Sequence, residues 1–173
     1  NPYLVEGPWV LVGKRSKPLA QLPAVLYGSK PADGGHLIVE SAEHAKVAAD
    51  PVAATYLRRY VGARELIHGL PRWCFWLEDL DPSDLNRSVL MRARVEGVRE
   101  FRAASNKRAT QELAMTPHLF AERRPMTGGY LCIPIHVSET RRFYPAARFT
   151  EQVISSNANF VAPDEDGFAF AVI

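Results

Sequence analysis

Hydrophobic and polar residues follow helical spacing in the middle of the chain. Between Val89 and Arg102, apolar residues recur every three or four positions, and polar residues, most of them basic, occupy another face. The apolar positions are Met91, Val95, Val98 and Phe101 or Arg102, and the polar positions include Arg92, Glu96 and Arg99. This periodicity predicts an amphipathic helix with a basic exposed side.

Other segments also have helical signals. Ser41 is a predicted N-cap, and the composition of Ala45 to Ala49 and of Pro51 to Tyr60 predicts one broken helix or two consecutive ones. The turn at Asp81 to Asp84 is typical of a cap for a following helix. A further helical stretch begins at Ser105 and runs through Leu113, ending before the next proline.

Short apolar runs bounded by turn residues predict strands at both ends of the chain. The predicted strands are Trp9 to Val12, Leu37 to Val39, Arg72 to Leu77, Tyr130 to Ile135, His136 to Val137, Phe143 to Phe149 and Phe168 to Val172. Strand-rich N- and C-terminal parts around a central helical segment favour an α+β fold over a βαβ repeat.

The length and composition of the chain indicate how many domains it forms. A chain of 173 residues that is 47% hydrophobic and 23% charged can bury a real core, so we expect one globular domain over residues 1–173. Cys74 and Cys132 lie singly in apolar runs without metal-ligand spacing, which predicts buried reduced thiols, no metal site and a cytoplasmic protein. The chain begins without Met and ends on an alternating apolar run, so we expect a fragment of a longer polypeptide.

The charge is unevenly distributed although the formal net charge is only +2. Between residues 87 and 124, nine basic residues face four acidic ones, whereas acids gather at residues 78–84 and 164–166. This asymmetry fits either a basic face for a polyanion or ordinary solvated helix faces.

The sequence motifs that would indicate a catalytic site are incomplete or missing. Asn1-Pro2-Tyr3 lacks the second proline of the Asn-Pro-Pro-aromatic loop with which adenine methyltransferases hold a flipped adenine, and no glycine-rich loop for S-adenosylmethionine accompanies it. The serines lack a spaced triad signature, the histidines lack zinc-ligand spacing, and Gly34-Gly35 lacks the lysine of a phosphate loop. We therefore expect this chain alone to have no catalytic activity and to bind no cofactor.

Three clusters of polar residues carry side chains suited to contacts with DNA. Arg15, Lys17 and Lys30 lie on proline-stiffened loops suited to phosphate contacts. Asn106, Lys107 and Arg108 stand at a helix start, where backbone amides favour a phosphate and long side chains reach base edges.

The third cluster is sharper in its chemistry. In an extended segment Glu139, Arg141 and Phe143 would point one way, offering an acceptor for cytosine, a bidentate donor for guanine and an apolar wedge. A salt-bridged surface strand is the alternative interpretation.

Several ordered blocks carry a resemblance that covers nearly the whole chain. They are Asn1 to Pro8, Arg15 to Leu19, Gly28 to Gly35, Arg58 to Ala63, Arg72 to Leu77, Arg99 to Arg108 and Ser155 to Asn157. Together they resemble the target-recognition domain of MmeI-like restriction-modification enzymes, large bacterial polypeptides whose methyltransferase domain modifies adenine with S-adenosylmethionine and is often fused to an endonuclease.

The resemblance implies sequence-specific binding of double-stranded DNA, with the methyltransferase domain of the same polypeptide as a partner and the cofactor bound in that domain. It implies base-reading positions around Asn106-Lys107 and in the Glu139 to Phe143 stretch, and phosphate contacts from Arg108, Asn157 and the basic loops. An RNA- or protein-binding module with a basic face remains the alternative, although the chain lacks the motifs of the common RNA-binding folds.

Overall fold

The structure is a computed structural model that describes residues 4, 6–9, 13–14 and 23–173. In chain order its elements are β1 (Leu26–Tyr27), β2 (Ile38–Glu40), α1 (Ser41–Ala48), α2 (Pro51–Thr55), β3 (Leu57–Val61), α3 (Ala63–His68), β4 (Arg72–Phe75), α4 (Asp84–Arg87), α5 (Val89–Ala103), α6 (Arg108–Glu112), a 3-10 turn (Leu113–Met115), β5 (Tyr130–Pro134), β6 (Ala147–Phe149), β7 (Val153–Ser155), β8 (Asn159–Pro163) and α7 (Phe168–Val172). The α+β prediction is confirmed.

The described strands form two four-stranded sheets. One sheet has the order β1-β8-β5-β6 and is antiparallel throughout, with Cys132 opposite Val161. The other has the order β2-β4-β3-β7, in which β3 and β7 are parallel and pair Tyr60 with Ile154. Because β7 and β8 follow each other in the chain, their connection passes from one sheet to the other.

The main core lies between the second sheet and α5. Met91, Val95 and Val98 are buried on one side of α5, as the helical spacing predicted. The next inward position belongs to Arg102, which is fully buried, whereas Phe101 is 47% exposed. The sequence pattern left these two residues open, and the helix turns the guanidinium inward.

Two helix starts share one pair of side chains. The Asp50 carboxylate accepts from the amides of Val52 and Ala53 at the start of α2. It also accepts a 2.5 Å hydrogen bond from the Ser88 hydroxyl, which in turn accepts from the Met91 amide at the start of α5. These contacts hold the pKa of Asp50 below its usual value, with the Ser88 bond the largest cause. A cap of this kind contributes about 1 kcal/mol.

One predicted helix is too long. The helix expected to reach Tyr60 ends at Thr55, and Leu57–Val61 is a central strand between β4 and β7. Pairing on both sides outweighs the local helical composition, because each central-strand residue satisfies its backbone groups with two neighbours.

The predicted strand at Phe168–Val172 is a helix, α7. The Asp166 side chain accepts from the Phe168 amide, and the buried Asp164 carboxylate accepts from the amides of Ala169 and Phe170. Gly167, with φ 78°, turns the chain into the helix. These acceptors satisfy the first amides of a helix, which an alternating pattern could not reveal.

Smaller boundary predictions are also corrected. The helix predicted from Ser105 begins at Arg108, since the Ser105 hydroxyl binds the Lys107 amide and forms a turn first. Residues 136–137 and 143–146 are not strands, and Ser41 lies inside α1, whose N-cap is Glu40. Most of the predicted strand at residues 9–12 lies outside the described residues.

Both cysteines are free and buried, which confirms the prediction of reduced structural thiols. Burial raises the pKa of Cys132 to about 11. Within the described ranges, none of the helices has the length and apolar character that crossing a bilayer requires.

Candidate nucleic-acid interface

The connection between the two sheets forms a compact junction, defined here as residues 28–30 and 155–159. The Ser29 amide donates to the Ser155 carbonyl oxygen at 2.7 Å, and the Asn157 amide donates to the Ser29 carbonyl oxygen at 3.0 Å. The fully buried Asn159 donates its side-chain amide to the Val61 carbonyl oxygen at 2.9 Å. Backbone and side-chain bonds thus fix the junction from both sheets.

Gly28 is required at the junction because another backbone approaches it closely. A Cβ atom built at this position would lie 2.2 Å from the Ser156 carbonyl oxygen. Any larger residue would force residues 28 and 156 apart, and with them the two chain segments that the junction joins.

The junction brings Lys30 and Asn157 together. Lys30 exchanges two backbone hydrogen bonds with Glu122, at 2.9 and 3.0 Å, while its side chain is exposed and has no partner among the described residues. Its neighbour Ser29 accepts the Asn157 amide and, through its hydroxyl, the Arg124 amide at 2.9 Å. A fixed backbone with an unpaired ammonium group is suited to a phosphate contact, because little order is lost on binding.

Arg102 anchors the loop that follows Lys30. Its guanidinium donates to the carbonyl oxygens of Pro31, at 2.8 Å, and Ala32, at 3.0 Å. It also donates to three carbonyl oxygens after α6, those of Leu113, Thr116 and Leu119, at 2.7–3.0 Å. All five N–H groups of the side chain are therefore used.

Burial lowers the pKa of Arg102, and the charge of Asp33 opposes that effect. Five carbonyl dipoles compensate the desolvated cation in place of a paired carboxylate. Arg102 thus ties the loop after Lys30 to the segment after α6, and its role is structural and not a surface contact to DNA.

Two close contacts press the same loop against α5. A Cβ at Gly34 would lie 2.7 Å from the Phe101 ring, and one at Gly97 would lie 2.6 Å from the His36 ring. Arg94 adds hydrogen bonds to the carbonyl oxygens of His36 and Ile38, at 3.0 and 2.9 Å. These contacts fix the loop against α5.

Asn106, Lys107 and Arg108 form an exposed turn between α5 and α6. Lys107 is the N-cap residue of α6 in an extended conformation, and its amide donates to the Ser105 hydroxyl at 3.2 Å. Arg108 pairs with Glu112 at 3.2 Å, one turn along the helix. The side chains of Asn106 and Lys107 are exposed and have no partners among the described residues.

The segment from Ser138 to Phe143 is not extended, which corrects the premise that placed Glu139, Arg141 and Phe143 on one side. The Arg141 amide donates to the Ser138 carbonyl oxygen at 3.1 Å, closing a turn with Glu139 at its second position. The hydroxyls of Ser138 and Thr140 lie 2.7 Å apart and stabilise this turn. Side chains that bind their own backbone compete with strand pairing.

The loop that carries these residues starts beside the junction. The Ile135 amide donates to the Ala158 carbonyl oxygen at 3.0 Å, so residue 135 lies next to Asn157 and its neighbours. The Tyr144 hydroxyl donates to the Pro134 carbonyl oxygen at 2.7 Å and closes the base of the loop. Phe143 is 75% exposed at its end, under the guanidinium of Arg142 at 5.3 Å.

The structure therefore joins Lys30, Asn157 and the base of the 136–146 loop directly. The Asn106–Arg108 turn is linked to the loop after Lys30 through Arg102 on α5. Arg15 and Lys17, two predicted phosphate contacts, lie outside the described residues.

The predicted basic face is weaker than its composition suggested. Of the nine basic residues between 87 and 124, Arg102 is buried and six are paired with acids. The six pairs are Arg87–Asp84, Arg94–Glu43, Arg99–Glu96, Arg108–Glu112, Arg123–Glu78 and Arg124–Glu122. Arg92 and Lys107 remain without an acidic partner within the described ranges, so the unpaired positive charge is local and not spread over a face.

Comparison with known proteins identifies the family. Residues 6–173 match the family model described as the target recognition domain of MmeI. The chain belongs to this family. The MmeI-type resemblance carried by the sequence blocks is confirmed.

A curated relative and a solved structure support the MmeI-type assignment. DNA methyltransferase A of Bacillus subtilis (strain 168) is 28% identical over 174 residues, which is all of this chain and 20% of that protein. The type IIL restriction-modification enzyme MmeI, solved in complex with DNA, is 36% identical with a TM-score of 0.86 over 99% of this chain and 23% of that one. The chain thus spans about a fifth of the length of these relatives.

In this MmeI-type domain, the sequence analysis did not name Arg64, and it named Arg72 only within the Arg72 to Leu77 block. Both line a cleft of about 660 Å³ beside the junction, together with Asn157 and the acids Glu40 and Glu65. Arg72 pairs with Glu40 at 2.6 Å, so it is neutralised, whereas Arg64 has no partner among the described residues. The Arg58 to Ala63 block ends immediately before Arg64. This proximity to the block was the only sequence feature that pointed to Arg64.

Proposed function

We propose that this target recognition domain binds double-stranded DNA and reads its sequence for the enzyme that carries it. The observation that carries the proposal is the junction, which holds the unpaired Lys30 side chain, Asn157 and the base of an exposed polar loop next to one another. The DNA complex of the related MmeI supports the nature of the ligand.

The residue roles follow from the chemistry of each segment. Lys30, Asn157 and Arg108 contact phosphates, because two lie on a fixed junction and the third stands at a helix start. Arg15 and Lys17 act in the same way. Base edges are read by Asn106 and Lys107 on one side and by the loop of Glu139, Arg141 and Phe143 on the other.

We further propose that the parent polypeptide is an adenine-N6 DNA methyltransferase of the restriction-modification type, in some members fused to an endonuclease. S-adenosylmethionine is then bound by the methyltransferase domain of that polypeptide, which is a covalent partner of this chain. The name of the Bacillus subtilis relative supports the methyltransferase part of this proposal. The present chain, residues 1–173, supplies recognition and no methyl transfer.

The test is a salt titration of binding to a labelled duplex. Phosphate contacts release counterions, so the logarithm of the affinity should fall linearly with the logarithm of salt concentration. Lys30→Ala should weaken all duplexes about equally and reduce the slope by about one unit. Lys46→Ala, which removes an exposed lysine from α1, is the matched control and should change neither quantity.

Salt-independent binding would contradict a phosphate-dominated interface. Equal losses in the Lys30 and Lys46 variants would show that the charge effect is general and that the junction is not the contact.

A further inference from the structure

The helix α7 displays apolar side chains that the described part of the chain does not bury. Its sequence is Phe-Ala-Phe-Ala-Val, yet none of its residues is buried, and Phe168 and Val172 are 67% and 66% exposed. A helix that is apolar on all sides normally lies inside a protein.

This helix is held firmly in place despite its exposure. The Asp164 carboxylate, which is itself buried, accepts from two amides of α7. Arg148 on β6 donates to the carbonyl oxygens of Asp164 and Glu165 and so fixes the turn before the helix. The apolar side chains are therefore presented on an ordered support.

The exposed apolar surface continues onto the edge of the first sheet. Pro23 lines the same cleft, of about 790 Å³, as Phe168 and Val172. From Pro23 the chain passes through Val25, which is 60% exposed, into the edge strand β1, where the Tyr27 and Phe160 ring centroids lie 5.0 Å apart. Residues 23–27 and 163–173 together are named here the terminal apolar face.

The negative charges around the terminal apolar face would repel DNA. The exposed acids Glu165 and Asp166 line its cleft beside the buried Asp164, and no lysine or arginine among the described residues does so. Arg148, which touches the rim, is paired with Asp164 at 3.7 Å. An acidic rim repels phosphates, while an apolar centre with a charged rim is typical of a protein interface.

We propose that the terminal apolar face is the surface on which this domain docks against the rest of its parent polypeptide. The inference rests on the proposed function insofar as it assumes that parent. The occupant is an apolar protein surface bordered by basic residues, which complements the acidic rim. Its source follows from length, because the chain spans only 20–23% of the relatives that it matches. DNA then binds at the junction, and the rest of the enzyme docks on the terminal apolar face.

The test compares amide hydrogen exchange in the isolated chain and in the full-length parent. Amides of residues 24–27 should exchange at least tenfold more slowly in the parent, because docking covers the edge strand. A Phe168→Ser, Phe170→Ser double change in the parent should abolish that protection. The same change should leave the melting temperature of the isolated chain unaltered, since neither side chain is buried there.

Met115→Ser is the control, because Met115 is 86% exposed on another element and its loss should not alter the protection. Equal exchange in the two proteins would overturn the proposal. So would protection of residues 24–27 in the isolated chain by added duplex, or by self-association that the double change removes. Because DNA binding is measured separately with the Lys30 variant, a failure of docking is distinguishable from a failure of the proposed function.

Discussion

The backbone amide of Asn157 donates a 3.0 Å hydrogen bond to the carbonyl oxygen of Ser29. This bond joins the loop after β7 to the segment after β1, which belong to different sheets. It explains how two distant parts of the sequence present one polar surface. The relative position of Lys30 and Asn157 consequently depends on the backbone of the junction and not on their own side chains.

Gly28→Ala should destabilise the domain by about 1–3 kcal/mol, because the added Cβ would overlap the Ser156 carbonyl group. Urea unfolding measures the change in the free energy of unfolding. Gly13→Ala is the control, since no described residue lies within 4 Å of a Cβ at that position. A Gly28→Ala protein as stable as the control would show that the junction opens without cost.

Arg102→Met should cost about 3–5 kcal/mol, since it leaves buried carbonyl oxygens without donors although the aliphatic volume is largely kept. Arg99→Met, three positions earlier and half exposed, should change the free energy of unfolding by less than about 0.5 kcal/mol. Thermal unfolding of the two variants is the measurement. Comparable melting temperatures would contradict the anchoring role of Arg102.

Elements that depend on patterns among neighbouring residues were predicted correctly, and elements that depend on contacts with distant residues were missed. Helix α5 was predicted because its apolar residues recur every three or four positions along the sequence. Strand β4 was predicted because its aromatic run shows no helical periodicity. Strand β3 was missed because its state depends on pairing with β4 and β7. Helix α7 was missed because its start depends on the Asp164 carboxylate, which lies outside the helix.

The candidate site shows the same division. Its segments were predicted from residue chemistry, and the contacts among them were not, because the carbonyl groups around Arg102 and the junction bonds join distant segments. Local bonding also overturned one geometric argument: the segment around Glu139 and Arg141, expected to be extended, forms a turn closed by the Arg141 amide and stabilised by the Ser138 and Thr140 hydroxyls.

His118 should make the stability of the domain sensitive to pH. Burial, followed by the charges of Arg123 and Arg102, lowers the pKa of His118 from its usual value near 6.5. A folded state that disfavours the protonated imidazole loses stability as the pH falls below about 6.5, and the loss ends once the pH is below the folded pKa. Above pH 6.5 the group contributes no slope.

NMR titration of the His118 ring and urea unfolding at several pH values check this prediction. His118→Gln should flatten the dependence of stability on pH in that window. Arg123→Gln should raise the pKa of His118 by removing one of the two opposing charges. A folded pKa at or above 6.5 would contradict it.

The last prediction concerns which side chains read bases. The turn at Ser138 to Arg141 removes the two-residue period, so Glu139 and Arg141 need not face the same base pair. Arg141→Gln should relax the preference for guanine at one position of the recognition sequence, and Glu139→Gln should relax the preference for cytosine at another. A bidentate arginine contact is worth about 1–3 kcal/mol of discrimination, which is about 5- to 150-fold in the ratio of affinities.

Sequencing of methylated sites in cells that express each variant of the full-length enzyme measures this preference directly. Lys30→Ala is the matched control, because loss of a phosphate contact should lower methylation at every site and leave the motif unchanged. If active Arg141 and Glu139 variants both keep the original motif, the loop does not read bases. The exposed Asn106 and Lys107 side chains, which have no partner among the described residues, would then be the remaining readers, and Lys107→Ala in the same assay should alter the motif.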